Sequence, residues 1–383
     1  RIEPLKEIED QIILLKKEGE KAVATWKKRM EEEVPVRRID IVTEGANRLD
    51  AEHKEIALTA RIYPENTTYQ DVLWRVTNNG GVDSNIAKLT DAETGMSSFS
   101  KENGLSYGKS VKLTALGDGE VRVRCNTKNG ADKIRLISDM DFEISGIGTA
   151  FINPYELVSG SLYSRCRGQV TNGNERGVAT ARDGKTTVTY DNVDFGAFGS
   201  DEITLPIFEL GSEAVKIEIW EGAPKDADGQ LVDVVTYHVP SIWNTYQERT
   251  YKLPRRIKGV TSISFVTENK IHLKGFVFTK KEKAFETLSV KENTSIYGDT
   301  FTVGTDAVTG IGNNVTVVFE DMDFGAAGTT KLTICGRSDL PVNTIHVRFQ
   351  TKNGDRNEVA EFAGSEEYIE RTFEFAKVSG KTN

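Results

Sequence analysis

Two stretches spell nearly the same phrase: VTYDNVDFGAFGSDEITL at 188–205 and VVFEDMDFGAAGTTKLTI at 317–334. Each reads as a strand, an Asp-Phe-Gly turn and a second strand. A period of about 130 residues is far too long for a solenoid repeat, but it is the size of one domain. Further landmarks recur in the same order. Glu156 answers to Glu286, Asp194-Phe195-Gly196 to Asp323-Phe324-Gly325, and Gly199 to Gly328. KIEIW (216–220) answers to TIHVR (344–348), YQERTYKL (246–253) to YIERTFEF (368–375), and Gly259 to Gly380. The chain is therefore expected to hold two copies of one all-β domain.

The register exposes a difference between the copies. After Gly259 the first runs on through SISFVTENKIHLKGFVF (262–278), which reads as two further strands, whereas the second stops at Asn383, three residues past Gly380. The second copy is expected to be incomplete, and a sandwich without its last strands exposes unpaired backbone. With Arg1 rather than Met at its start, the chain reads as a piece of something longer.

Two different textures precede the tandem. Ile2, Leu5, Ile8, Ile12, Leu15, Ala22, Trp26 and Met30 fall at steps of three and four, with Lys and Glu on the other faces and Pro35 as a stop. That pattern predicts one amphipathic helix over 1–33. Gly19 in mid-stripe weakens a coiled coil and favours docking on a globular neighbour. From Val36 the spacing changes to period two in RRIDIV, EIALTARIYP, DVLWRVTN, SVKLTAL and GEVRVRC, split by Gly, Asn and Asp turns. NTKNGADK (126–133) carries the Asn-Gly preference of a hairpin turn. Residues 36–142 are expected to form a β-sandwich. The expected organisation is a helix or linker at 1–35, that sandwich, a second sandwich at 143–282 and its incomplete copy at 283–383.

Composition excludes several functions. The net charge of −9 opposes binding to nucleic acid, which rests on neutralising phosphates, and equally to an anionic membrane surface. The longest unbroken apolar run is IILL at 12–15, far below a membrane span. Cys125, Cys166 and Cys335 are widely separated and show no zinc spacing, and no two of the four histidines lie close together. No HExxH, GxSxG, P-loop or dinucleotide fingerprint appears, and no motif pairs two carboxylates for glycoside hydrolysis. This chain is expected not to be an enzyme. Its localisation is open.

The pieces together resemble known families. YPENTTYQDVLWRVTN (63–78) and ALGDGEVRVRCNTKNG (115–130) resemble bacterial immunoglobulin-like domains of group 2, with Trp74 as the core tryptophan. The tandem's Glu…Val-Asp-Phe-Gly-x-x-Gly…Gly-Phe-x-Phe pattern resembles the family 6 type of carbohydrate-binding module, a lectin-like jelly roll. Helix, Ig-like domain and two such modules in this order look like the C-terminal, non-catalytic region of glycoside hydrolase family 2 enzymes of the β-galactosidase type. The resemblance implies an accessory region of a bacterial glycoside hydrolase. Its partners would be a carbohydrate, a β-galactoside or a plant or host glycan, and the catalytic domain of the same polypeptide. A purely structural stack of sandwiches is the rival reading.

The resemblance also implies site residues. A pyranose stacks its apolar face on Trp or Tyr and gives its hydroxyls to a few fixed polar groups. Trp243 and Tyr246 match one aromatic wall, and Asn269 matches the family's asparagine. Thr186 stands where the other wall's aromatic is expected. Trp220, placed opposite Ile217 and Ile219, is a further platform candidate, and Tyr368 is the second copy's aromatic. No cofactor is expected. The family's structural calcium would use Glu156, but Lys274 replaces the expected Asp, and an ammonium in a calcium cage removes a ligand and adds repulsion.

Overall fold

The computed structural model describes residues 3–95, 108–129, 131–172 and 177–383. The chain is all-β behind a single N-terminal helix, as its periodicity predicts. It divides into two compact units, 1–279 and 280–383.

Helix α1 spans Glu3–Glu32. Its apolar stripe stays in solvent: Leu5, Ile12, Leu15 and Trp26 are all exposed, so among the described residues nothing covers the face that the sequence sets up for docking. Among the described residues no helix is long and apolar enough to cross a membrane.

Eight strands follow: β1 (Arg38–Val42), β2 (Arg48–Leu49), β3 (Glu55–Tyr63), β4 (Leu73–Thr77), β5 (Ala87–Asp91), β6 (Ser110–Ala115), β7 (Gly119–Asn129) and β8 (Ala131–Ile144). They make two four-stranded sheets, β1-β3-β6-β5 and β2-β8-β7-β4. Period-two alternation sends Leu58, Leu89, Leu113, Val121 and Val123 into one core. Trp74 lies wholly buried between the sheets, its Nε1–H donating to the Gly108 carbonyl at 3.1 Å. Gly130 of the expected Asn-Gly turn lies outside the described residues; β7 and β8 pair antiparallel on either side of it.

The connection at 145–152 is held to the first sandwich. The Asp118 N–H donates to the Gly148 carbonyl at 2.8 Å, and the Asp118 carboxylate accepts from the Ile147 N–H at 2.7 Å. A Cβ at Gly117 would stand 2.7 Å from Ala150, so this approach requires glycine.

The second sandwich comprises β9 (Val158–Ser159), β10 (Arg165–Arg167), β11 (Val170–Asn172), β12 (Val178–Thr180), β13 (Thr186–Asp194), β14 (Ser200–Glu209), β15 (Val215–Glu221), β16 (Gln230–Tyr237), β17 (Gln247–Ile257), β18 (Val260–Thr267), β19 (Ile271–Leu273) and β20 (Gly275–Phe278). One sheet runs β10-β13-β18-β15-β16; the other runs β11-β12-β19-β14-β20-β9, with β17 also on β14. After Gly259, where two strands are expected, three form, β18 to β20, because the chain breaks at Lys274 between β19 and β20, and they close the core. Phe276 stands among Tyr190, Phe265 and Phe278 at ring-centroid distances of 4.9, 5.2 and 6.1 Å.

The 280–383 unit holds β21 (Ser295–Tyr297), β22 (Thr302–Val303), β23 (Val308–Thr309), β24 (Thr316–Val318), β25 (Met322–Asp323), β26 (Thr329–Thr351), β27 (Gly354–Val378) and β28 (Lys381–Thr382). Its pairing repeats that of the first copy. Ile203↔Tyr251 and Leu205↔Arg249 across β14 and β17 become Leu332↔Phe373 and Ile334↔Arg371 across β26 and β27. Ile217↔Val235 across β15 and β16 becomes Ile345↔Ala360. The recurring glycine has one reason in both places. Gly199 and Gly328 have φ of +79° and +68°, and a Cβ would meet the carbonyl oxygen of Ile257 at 2.0 Å or of Val378 at 2.3 Å.

The copies part in architecture. In the first, β14–β17 and β15–β16 lie in different sheets, because the chain breaks at 210–214 and 238–246. In the second, the same pairs run on as one ribbon, irregular at Thr329–Lys331 and near Gly336–Val342, in a single sheet ordered β25-β28-β26-β27.

Candidate functional site

Strand β14 is buried on both faces from Ile203 to Glu209, a longer run than those of β13 (186–190) and β18 (263–267). A half-solvated strand would alternate, so the outer face here has a cover. At the C-terminal end of β14 that cover is aromatic. Phe208 is 2% exposed under three rings: Trp243 at 5.9 Å, Tyr246 at 6.4 Å and His272 at 5.3 Å between centroids. Trp243 and Tyr246 come from the loop between β16 and β17, and His272 from β19, whose backbone is paired directly with Phe208.

The loop is fixed by its own bonds. Thr245 N–H donates to the Ile242 carbonyl at 3.1 Å, Gln247 Nε2 to the Pro240 carbonyl at 2.8 Å, and the Ser241 hydroxyl to the Glu209 carbonyl. Asn244 takes φ of +53°, a left-handed conformation that asparagine tolerates better than most residues. The indole of Trp243 is thereby left 79% exposed while one edge stays anchored on Phe208. Tyr246 is half-buried, with the Lys274 ammonium 5.7 Å from its ring centroid.

The polar groups at this end are shifted toward neutrality. Burial raises the Glu209 carboxyl above its ordinary range; nearby His238 opposes the shift and Glu213 adds to it. Burial, then the charge of Lys270, lowers the His272 imidazole. Glu209 Oε2 and His272 Nδ1 are buried atoms without a hydrogen-bond partner among the described residues. The arrangement is an exposed indole on a rigid apolar base, suited to stacking.

The other sequence candidates are dispersed. Asn269 is exposed in the turn between β18 and β19, where its carbonyl accepts from Thr180 Oγ1 at 2.7 Å and its N–H donates to Thr267 Oγ1 at 3.2 Å. Thr186, in the place of a second aromatic wall, is wholly buried and accepts from the Ala181 N–H at 3.3 Å. Trp220 lies on the opposite sheet, half-buried on the outer face, with its Nε1–H donating to Glu218 Oε2 at 2.8 Å. Glu218 is held in turn by Lys185 at 2.7 Å. Tyr368 of the second unit is exposed beneath the Arg337 guanidinium, 5.6 Å from its ring centroid.

The residues present do not fit a calcium ion beside Glu156. Lys274 brings its ammonium to the aromatic end, and among the described residues no three His, Cys, Asp or Glu side chains converge. Phe208 and His272 were not candidates from the sequence. The signal for Phe208 was the apolar run ITLPIF (203–208), too continuous for a strand with one wet face.

A lectin-like β-sandwich with an exposed aromatic at its loop end is a class to which sugar-binding modules belong. Residues 163–280, under a third of the chain, match the family described as carbohydrate binding module (family 6). No curated protein matches the chain. Similar solved structures include a family 6 module whose binding sub-sites were dissected by crystallography and calorimetry, 24% identical with a TM-score of 0.29 over 34% of this chain and 96% of that one. A Clostridium stercorarium module in complex with cellobiose is 22% identical with a TM-score of 0.30, covering 34% and 98% of the two chains. A β-1,3-glucan-binding family 6 module from Bacillus halodurans is 23% identical with a TM-score of 0.28, covering 34% and 99%.

Proposed function

We propose that the second sandwich, within 143–282, binds a neutral carbohydrate at the end of β14, with the sugar's apolar face on Trp243 and its rim against Tyr246. The observation that carries this reading is the exposed Trp243 indole fixed on Phe208, inside a segment that matches family 6 carbohydrate-binding modules. A side chain of this size left in solvent on a rigid base gives stacking area at low entropic cost. In this reading the chain is an accessory region of a bacterial glycoside hydrolase of the β-galactosidase type. Residues 36–142 serve as an Ig-like spacer, and the module tethers glycan near the catalytic domain, raising its local concentration.

The test is calorimetric titration of the full chain with galactose, lactose, cellobiose and β-1,3-linked glucose oligomers. Saturable binding to at least one of them supports the reading. No heat from any, with the chain folded by circular dichroism, removes it.

The second reading, a structural brace without sugar binding, is favoured by the connection clamped at Gly117–Asp118. It is also favoured by the Ser161 hydroxyl donating to Asp83 of the first sandwich at 3.4 Å. Under it, Trp243→Ala changes no affinity.

A further inference from the structure

A cleft of about 500 Å³ lies where the first sandwich, the 145–152 connection and the second sandwich meet. That volume falls within the roughly 300–1,000 Å³ of small-molecule sites. Among the described residues, none from β14, β19 or the Trp243 loop lines it. Its walls are fixed by backbone bonds. The Ile152 N–H donates to the Asn192 carbonyl at 2.8 Å, and the Asp194 N–H to the Ile152 carbonyl at 2.9 Å. On the first sandwich, the Leu116 and Gly117 N–H groups both donate to the Ile86 carbonyl, at 2.8 and 3.0 Å. Across the gap, the Asp83 carboxylate accepts from Ser161 at 3.4 Å and from Arg75 at 2.6 Å. A cleft held open from three sides needs little ordering when a ligand enters.

The polar groups of the cleft divide into spent and unspent. Ser164 Oγ donates to Asp191 Oδ2 and Ser262 Oγ to Asp191 Oδ1, each at 2.6 Å, and the Arg165 guanidinium reaches both oxygens at 3.0 and 2.9 Å. That carboxylate is satisfied and its charge is matched. By contrast, the side chains of Asn85, Thr149 and Asn192 line the cleft with no hydrogen-bond partner among the described residues. Asp118 uses one carboxylate oxygen for the Ile147 N–H at 2.7 Å and keeps the other unpaired among the described residues. An amide both donates and accepts, a hydroxyl does either, and a carboxylate only accepts. Such a set matches a ligand with several neighbouring hydroxyls. Ile86, Ile152 and Leu162 supply an apolar surface beside it. A metal ion fits poorly, because among the described residues no three His, Cys, Asp or Glu side chains converge.

We propose that this cleft is a second carbohydrate site, separate from Trp243, which takes one or two neutral sugar rings. The sugar's hydroxyls meet Asn85, Thr149, Asn192 and the free oxygen of Asp118, and its C–H face lies against Ile86, Ile152 and Leu162. Because Asn85, Ile86 and Asp118 belong to the first sandwich, that domain contributes binding groups of its own, beyond any role as a spacer. The site exists only while the two sandwiches keep this arrangement.

The test is methyl NMR of the full chain labelled at isoleucine and leucine, with the indole signals recorded alongside, titrated with lactose and with cellobiose. Saturable shifts of the Ile86, Ile152 and Leu162 methyls are expected with at least one of the two sugars. Asn85→Ala combined with Asn192→Gly removes both amides, and glycine keeps the left-handed φ of +58° that Asn192 adopts. The double variant should bind at least tenfold more weakly at the cleft and leave any Trp243 indole response unchanged. Thr149→Trp fills the cleft from an exposed position, should abolish the methyl response, and serves if the double variant does not fold. Three results would overturn the proposal: methyls unmoved by both sugars in a chain folded by circular dichroism; shifts that grow linearly without saturating; or a methyl response that survives in either folded variant. Methyl shifts without an indole response would uphold this site and remove the one at Trp243, and the reverse would remove this site alone.

Discussion

Trp243 meets Phe208 edge to face, with ring centroids 5.9 Å apart and planes at 89°. One partner is 79% exposed and the other 2%, so the pair separates a presenting residue from a supporting one. Trp243→Ala should leave thermal stability within about 0.5 kcal/mol, as surface changes do. Affinity for whichever sugar the chain binds should fall at least tenfold, about 1.4 kcal/mol. Phe208→Ala should instead cost about 3–5 kcal/mol of stability, because it opens a cavity under three rings. Denaturant unfolding beside calorimetric titration of both variants reads the contrast; equal stability loss in the two would place Trp243 among the packing residues.

The unequal cores of the two copies give a second contrast. Phe276→Ala removes a fully buried ring that touches Tyr190, Phe265 and Phe278, and should cost about 3–5 kcal/mol. Phe319→Ala removes a ring that is already half in water, and should cost about 1–2 kcal/mol. Separate unfolding transitions for the two units, followed by hydrogen exchange, would report each cost where it falls. A larger loss at Phe319 would mean that this ring is covered in solution.

The recurring landmarks were legible because strand pairing leaves its mark on sequence at fixed points: glycines where a Cβ would strike a carbonyl, and alternating residues that share a face. Thr204 and Thr250 pair hydroxyl to hydroxyl at 2.7 Å, and Thr333 and Thr372 repeat the pair at 2.8 Å, both within the aligned landmarks. The aromatic end was half legible. Trp243 and Tyr246 could be named from their loop, but Phe208 and His272 meet them only through the β14–β19 pairing, which local sequence does not encode. The ribbon form of β26 and β27 was not legible at all. Local pattern sets which residues pair, whereas the bend into two sheets depends on strands that fill the space between them.

Thiol chemistry offers a test of the first sandwich. Cys125 faces Trp74 across β4 and β7, fully buried, and burial pushes its thiol up to about 12. Cys166 and Cys335 are exposed. The thiolate is the reactive species, so a disulfide reagent at pH 8 should modify two thiols rapidly in the folded chain and the third only after denaturant is added. Rapid reaction of all three would show that the core around Trp74 opens.

The last prediction concerns acid. Asp191 is partly buried, which on its own opposes ionisation, but hydrogen bonds from Arg165, Ser164 and Ser262 outweigh that cost and hold the carboxyl at about 2 against an ordinary 3.8. Arg165 reaches it at 2.9 Å and also pairs with Asp226 at 3.0 Å, tying β10 to β13 and to the loop after β15. A carboxyl whose folded value lies below its unfolded one stabilises the fold fully above the unfolded value, and that contribution fades as pH falls through the folded one. The window here is therefore pH 4 down to 2, and the contribution is on the order of 2 kcal/mol. Asp191→Asn should lower stability at pH 7 and flatten the loss between pH 4 and 2, because the group that titrates there is gone. Urea midpoints for both proteins across that range measure it directly; parallel curves would assign the acid sensitivity to other carboxylates.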